Sequence, residues 1–296
     1  MRFLNDGGDR ELMQWLSPLD SRKRHQDMSN DRFDGVGNWF LETNEFREWK
    51  RGQGEAEKAV LFCYGNPGVG KTFLRQVADP PEESGITLTA SNISSLVMDT
   101  LCSEENVAVV GFYCDFHDRQ EQTATNIVGA ILKQLVVRVE MTTDMSVAVQ
   151  KAKRDLGWRR PRLPEVVKIL KLAIDILPQV FICIDALDEC LPNHLPELLE
   201  SLKDILQGSP RTRIFVTGRP HVETDFVRCF TTGVIVPFSP STHEIRRYLE
   251  KRLEMDTMRD AMSDALRADI LRIIPKRISE MCVAVSPVPT PCMILY

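Results

Sequence analysis

No CxxC pair occurs among the eight cysteines of this chain, which lie scattered at Cys63, Cys102, Cys114, Cys183, Cys190, Cys229, Cys282 and Cys292. Neither a zinc site nor a disulfide framework is suggested by that spacing. Several of them interrupt apolar runs (LFCYG, GFYCDF, FICID), where cysteine behaves as a small buried hydrophobe. A long apolar run is missing too: none approaches the roughly 20 residues that span a bilayer. The N-terminus, MRFLNDGGDRELMQWL, lacks the basic and then apolar order of a signal peptide. The expectation is an intracellular, cytoplasmic protein with reduced thiols and no membrane partner. Positive charge is not in excess either. The net charge of -5 gives no electrostatic reason to expect nucleic acid as a partner. The one basic run, KAKRDLGWRRPR from Lys151 to Arg162, reads as a solvated connection before the next strand. No internal repeat is found.

What is present is ordinary for a globular protein: 43% hydrophobic and 27% charged residues over 296 positions, enough for one large or two modest domains. Five short apolar runs punctuate the chain: Ala59–Tyr64, Val107–Phe116, Val180–Asp185, Arg213–Thr217 and Val234–Phe238. Between them lie amphipathic stretches at helical spacing, at about 123–139 and 195–206. Strands apolar on both faces, alternating with helices, predict an α/β fold: a parallel five-stranded sheet flanked by helices. Before the first run, Trp39–Trp49 suits a short amphipathic helix or two half-turns. After Ser241 the pattern turns helical (THEIRRYLEKRLEM, SDALRADILRII). The expected boundaries are an N-terminal helical adjunct at 1–55, a nucleotide-binding domain at 56–240, and a truncated helical extension with an irregular tail at 241–296. Pro287, Pro289 and Pro291 at alternate positions keep that tail out of a helix.

The first strand runs directly into Gly65-Asn66-Pro67-Gly68-Val69-Gly70-Lys71-Thr72, which fits G-x-x-x-x-G-K-[ST] between a strand and a helical run. Glycines let such a loop turn its amides toward phosphate oxygens, and the following helix N-terminus favours negative charge. Lys71 is then placed for the β- and γ-phosphates of a P-loop NTPase and the Thr72 hydroxyl for Mg²⁺. The competing reading is a tight strand-to-helix turn. A phosphate loop needs a metal-holding acid at the end of a neighbouring strand, and Asp185 closes Val180–Asp185. Ala186 stands where many P-loop ATPases carry a water-activating glutamate, so any such work falls to Asp188 or Glu189. Arg219, after the fourth strand, is placed to sense a γ-phosphate. A surface arginine before a proline turn is the alternative there.

In this order GNPGVGKT, FICIDALDE and RIFVTGRP resemble the NACHT family of STAND signalling nucleotide-binding proteins. The preceding block (WLSPLD, HQDMSNDRFDGVGNWF, EFREW) is similar to that of large fungal proteins of the nephrocystin-3-like and ankyrin-repeat type. The resemblance implies a switch that binds ATP or ADP (GTP in some fungal members) with Mg²⁺ and hydrolyses slowly to reset. It also implies self-association or effector domains as partners in a full-length relative, and a setting in non-self recognition or programmed cell death. A housekeeping P-loop ATPase and a non-catalytic NACHT fragment serving as an interaction module stay open. Finally, the helix begun at Lys71 meets Asp79-Pro80-Pro81 after about two turns. Joining Arg75 to Ser95 restores one helical face, KTFLRSLVMDTLC. Gln76–Ser94 is therefore expected to be an insertion, poorly packed on the fold.

Overall fold

The computed structural model describes residues 7–30, 32–33, 35–52, 58–65, 90–138, 143–157, 159–238, 240–255 and 263–283. Each apolar run of the sequence is a strand in it: β1 Val60–Tyr64, β2 Ala108–Tyr113, β3 Val180–Asp185, β4 Thr212–Gly218 and β5 Val234–Pro237. They pair in parallel in the order β2-β3-β4-β1-β5. Parallel neighbours need crossovers, and helices supply the cover on both faces. Before β1 come α1 Gly7–Leu16, α2 Arg22–Asn30, α3 Asn38–Glu42 and α4 Asn44–Arg51. After it come α5 Ala90–Cys102, α6 Ala124–Arg138, α7 Thr143–Asp155, α8 Leu163–Asp175, α9 Leu195–Gly208 and α10 Glu223–Cys229. All of these form one compact unit with the sheet.

Alternation along the strands decides which helices cover which side. Val60, Phe62, Val180, Ile182, Ile184, Ile214 and Val216 enter the core shared with α1, α6, α8 and α9. The intervening residues Leu61, Phe181, Asp185, Phe215 and Thr217 face the other way, toward α3, α4 and α5. That second face is aromatic. Phe40, Phe46 and Trp49 stack edge-wise or tilted with Phe181 and Phe215 at centroid separations of 5.3–6.0 Å. Trp49 is buried, and its indole Nε1 donates to the Ala59 carbonyl at 3.1 Å.

The Trp39–Trp49 segment is two helices because Thr43 breaks it. Its extended backbone caps α4, with Oγ1 accepting from the Phe46 amide at 3.3 Å. At the other end Gly52 adopts a left-handed φ of 62°, and its carbonyl accepts from Arg213 Nη2 at 2.8 Å. A Cβ on Gly52 would meet that guanidinium at 2.3 Å, so any other residue must displace Arg213 as well as bear the left-handed backbone. On the opposite face α1 buries Leu12, Trp15 and Leu16. It lies so close to α6 that a Cβ on Gly129 would stand 2.3 Å from the Leu16 carbonyl oxygen. Trp15 Nε1 donates to the Arg159 carbonyl at 2.7 Å, Ser17 Oγ to the Asn126 carbonyl at 2.7 Å, and Lys133 Nζ to the carbonyls of Ser17 and Leu19 at 3.0 and 2.9 Å.

The basic run is not a connection before a strand. Lys151–Asp155 closes α7, with the Lys153 side chain buried, and α8 intervenes before β3. A second unit holds residues 33–36 together with α11 Thr242–Met255 and α12 Asp264–Val283. Within it Ile245, Leu249, Ile270 and Ile274 are buried, and the Phe33 ring lies 5.3 Å from that of Tyr248. The proline-rich tail lies outside the described residues. Trp49→Ala is expected to destabilise the protein by about 3–5 kcal/mol, seen as a lower urea midpoint at unchanged slope. A midpoint equal to the parent's would show that the aromatic face does not carry this packing.

Candidate functional site

In a parallel sheet, ligands collect beyond the carboxyl ends of the strands, where the strand order reverses. Here that place adjoins β1, since the chain leaves β1 for β2 at the edge and returns through β3 and β4. Tyr64 is paired with Gly218, and the Gly65 amide donates to the Gly218 carbonyl at 3.1 Å. The end of β1 therefore stands beside the end of β4, with the end of β3 one strand further. Asn66, Pro67, Gly68, Val69, Gly70, Lys71 and Thr72 lie outside the described residues, as does the helical run expected after them.

Asp185 is the buried acid of this end, 3% exposed. Its Oδ1 accepts two hydroxyl hydrogen bonds, from Ser94 Oγ at 2.5 Å and Thr217 Oγ1 at 2.6 Å. Both donors are fully buried. Thr217 Oγ1 also accepts from the Ala186 amide at 3.0 Å, which ties the orientation of the carboxylate to the turn that follows it. An oxygen-only acid held by hydroxyls suits a hard cation such as Mg²⁺, so this donor set fits the metal expected there. The thiols near it take no part. Burial first, and then the charge of Asp185, push Cys63 far above the ordinary thiol range, and burial does the same to Cys183. They stay neutral, as the small hydrophobes the sequence suggests.

After β3 the chain makes a tight turn. Ala186 takes a left-handed φ of 54°, and Leu187–Glu189 forms a single 3-10 turn. A small residue limits the cost of that conformation. The two candidate acids then part company. Asp188, with its side chain 8% exposed, pairs with Arg219 Nε at 3.0 Å. Arg219 is half exposed, so the guanidinium side of the pair is open to water. Glu189 turns toward the end of β2, where its Oε2 accepts from the Phe116 amide at 3.0 Å. The structure thus joins Asp185, Asp188 and Arg219 at one end of the sheet and directs the Glu189 carboxylate elsewhere.

Ser94 and Thr217 were not singled out from the sequence. Thr217 had a signal, as the polar last residue of an otherwise apolar strand. Ser94 falls at the end of the expected insertion Gln76–Ser94, yet it is part of the packed fold. Residues 76–89 lie outside the described residues, but Ala90 opens α5, and Ile93 and Ser94 are buried, the latter on Asp185. Poor packing does not extend to these residues, because helix α5 begins a turn earlier than the SLVMDTLC pattern indicated.

A family model described as nephrocystin 3, N-terminal, matches residues 35–78 and 88–219, more than half of the chain. It leaves 79–87 unmatched, within the segment expected to be an insertion. A search of curated proteins gives no match. Among solved structures the chain is similar to the Walker-type ATPase PABY2304 of Pyrococcus abyssi, at 14% identity and a TM-score of 0.45, over 91% of this chain and 70% of that one. It is also similar to the Aeropyrum pernix ORC1 protein in complex with DNA (18%, TM-score 0.40, 91% and 64%) and to Drosophila ORC bound to DNA (13%, 0.39, 81% and 50%). The chain therefore spans less than two thirds of the length of both ORC chains. At such identities these likenesses speak to fold alone. The expectation of no nucleic-acid partner is corrected by one finding: ORC chains solved with DNA stand among the similar structures. Among the described residues no helix is long and apolar enough to cross a membrane. Since the family match covers more than half of the chain and runs through β1, β3 and β4 to Arg219 itself, the chain belongs to the nephrocystin 3, N-terminal family.

Proposed function

We propose that the chain binds a purine nucleoside triphosphate with Mg²⁺ at the carboxyl ends of β1, β3 and β4 and hydrolyses it slowly, as a NACHT-type signalling switch. The observation that carries this reading is the buried Asp185, oriented by Ser94 and Thr217 at the end of β3, one strand removed from the strand that runs into GNPGVGKT. Lys71 and the loop amides hold the phosphates, and Thr72 with Asp185 holds the metal, which neutralises phosphate charge. Arg219 is already engaged by Asp188. A γ-phosphate brought to the end of β4 competes for that guanidinium and releases Asp188 to orient water. Binding and the state of the acid loop are coupled in this way, as a switch requires. ATP or GTP, and self-association with effector domains in a longer relative, follow from the NACHT resemblance alone, as does a role in non-self recognition or programmed cell death.

Three outcomes are expected. Lys71→Ala removes the stabilisation by ATP–Mg²⁺, which for the parent is roughly 2.7 kcal/mol at a hundredfold excess over Kd; an equal thermal shift in the variant would sink the assignment. Asp185→Asn weakens the Mg²⁺ dependence of ATP binding more than binding in EDTA, measured by titration with and without the metal. Equal losses in both conditions would move the metal site elsewhere. For the insertion, which we propose to be confined to residues before Ala90, deletion of 79–87 leaves the melting temperature no lower than the parent's. A deletion through Ser94 lowers it by loss of buried Ile93 and of the Ser94 bond, and the reverse ranking would refute the boundary.

A further inference from the structure

The acid loop after β3 is braced from the neighbouring strand. Arg119 lies in the segment that follows β2. Its Nε donates to the Glu189 carbonyl at 2.8 Å, and its Nη2 donates to the carbonyls of Cys190 at 3.2 Å and Asp188 at 3.5 Å. One guanidinium thus spans three consecutive carbonyls, which uses its planar fork of donors. Its carbon also sits 4.6 Å from the centroid of the Phe116 ring. The Phe116 amide in turn donates to Glu189 Oε2 at 3.0 Å, so side chain and backbone of Glu189 are held by the same short segment. That segment is closed on itself by buried Gln122, whose Oε1 accepts from the Asp115 amide at 3.0 Å and whose Nε2 donates to the Asp115 carbonyl at 2.8 Å.

The loop is anchored at its ends by the Ala186 amide on Thr217 Oγ1 and by buried Leu187 and Cys190. Its own backbone bonds are Glu189 amide to Ala186 carbonyl at 2.8 Å and Cys190 amide to Leu187 carbonyl at 3.2 Å, across a left-handed alanine. A carboxylate on so short a turn moves whenever the turn does, and misplacement by about 1 Å costs on the order of a hundredfold in rate. We propose that Arg119 is a positioning residue: it fixes the backbone of Asp188, Glu189 and Cys190 so that the Asp188 carboxylate keeps its place at the end of the sheet, on Arg219 or released from it. In this arrangement Glu189 acts as the pin to the Phe116 amide, and Asp188 is the acid of the pair that serves water. The catalytic part rests on the proposed nucleotide hydrolysis, whereas the brace itself does not.

The test compares the parent with Arg119→Ala and Arg119→Lys, in kcat, nucleotide Kd and amide hydrogen exchange read residue by residue. In Arg119→Ala, kcat falls about tenfold or more while Kd stays within about twofold. Exchange at the amides of Phe116, Glu189 and Cys190 rises about tenfold, with β3 and β4 amides at the parent rate. Arg119→Lys, which reaches one carbonyl, recovers part of both effects. Unchanged exchange at the three amides overturns the brace, and Kd weakening in step with kcat overturns the positioning role. Should the parent turn over neither ATP nor GTP, the hydrolysis reading fails by itself, and the exchange measurement still decides whether Arg119 holds the loop.

Discussion

Asp185 is a carboxylate taken into a sheet face that is otherwise aromatic and aliphatic, and the arrangement around it follows from that burial. Removing such a charge from water costs several kcal/mol unless partners replace the lost hydration. Two buried hydroxyls on one oxygen do so, and each comes from a different element, α5 and β4. The covering helix, the strand register and the turn at Ala186 are thereby tied to one side chain. Tyr113 lies opposite Asp185 in the β2–β3 register, and its phenol is held far above the ordinary range, by burial first and then by the Asp185 charge. It remains a neutral phenol, whose hydroxyl lies 2.8 Å from His25 Nδ1 of α2.

The strands were legible because a parallel sheet covered on both sides demands uninterrupted apolar runs, and Val180–Asp185 stands in the structure with the bounds read from its residues. Helices α7 and α8 were not. Lysine and arginine around 151–162 suggested solvent, yet Lys153 buries its stem and Arg159 pairs with Glu165 at the start of α8. Long basic side chains cover apolar surface while keeping their charge at its edge, which charge patterning alone does not reveal. Asp185 was readable as the acid that ends an apolar strand. Ser94 was not, because a single serine near the start of a helix carries no sign of the carboxylate it will meet across 91 positions. Arg119 was hidden for a related reason: it binds carbonyls, and backbone acceptors leave no trace in the residue pattern.

The N-terminal helices are structural parts of the sheet's cover. Trp49 and Phe40 complete the aromatic face, and the Gly52 carbonyl engages Arg213, whose guanidinium burial holds below the ordinary arginine range. Three carbonyls, from Gly52, Pro210 and Thr212, receive that buried cation. The first fifty residues and the fourth strand consequently share one cationic joint at the end of the sheet opposite the acid loop.

The docking of α1 on Gly129 has a consequence for synthesis on the ribosome. Ser17 and the carbonyl it engages at Asn126 are 109 positions apart. At the usual elongation rate of about 5–20 residues per second, that separation corresponds to roughly 5–20 s. Leu12, Trp15 and Leu16 are translated first, yet α6, which accepts them, follows only after that interval. For that interval the nascent chain exposes an aromatic and aliphatic stripe without its receptor, a natural target for a chaperone that holds apolar segments until their partners arrive.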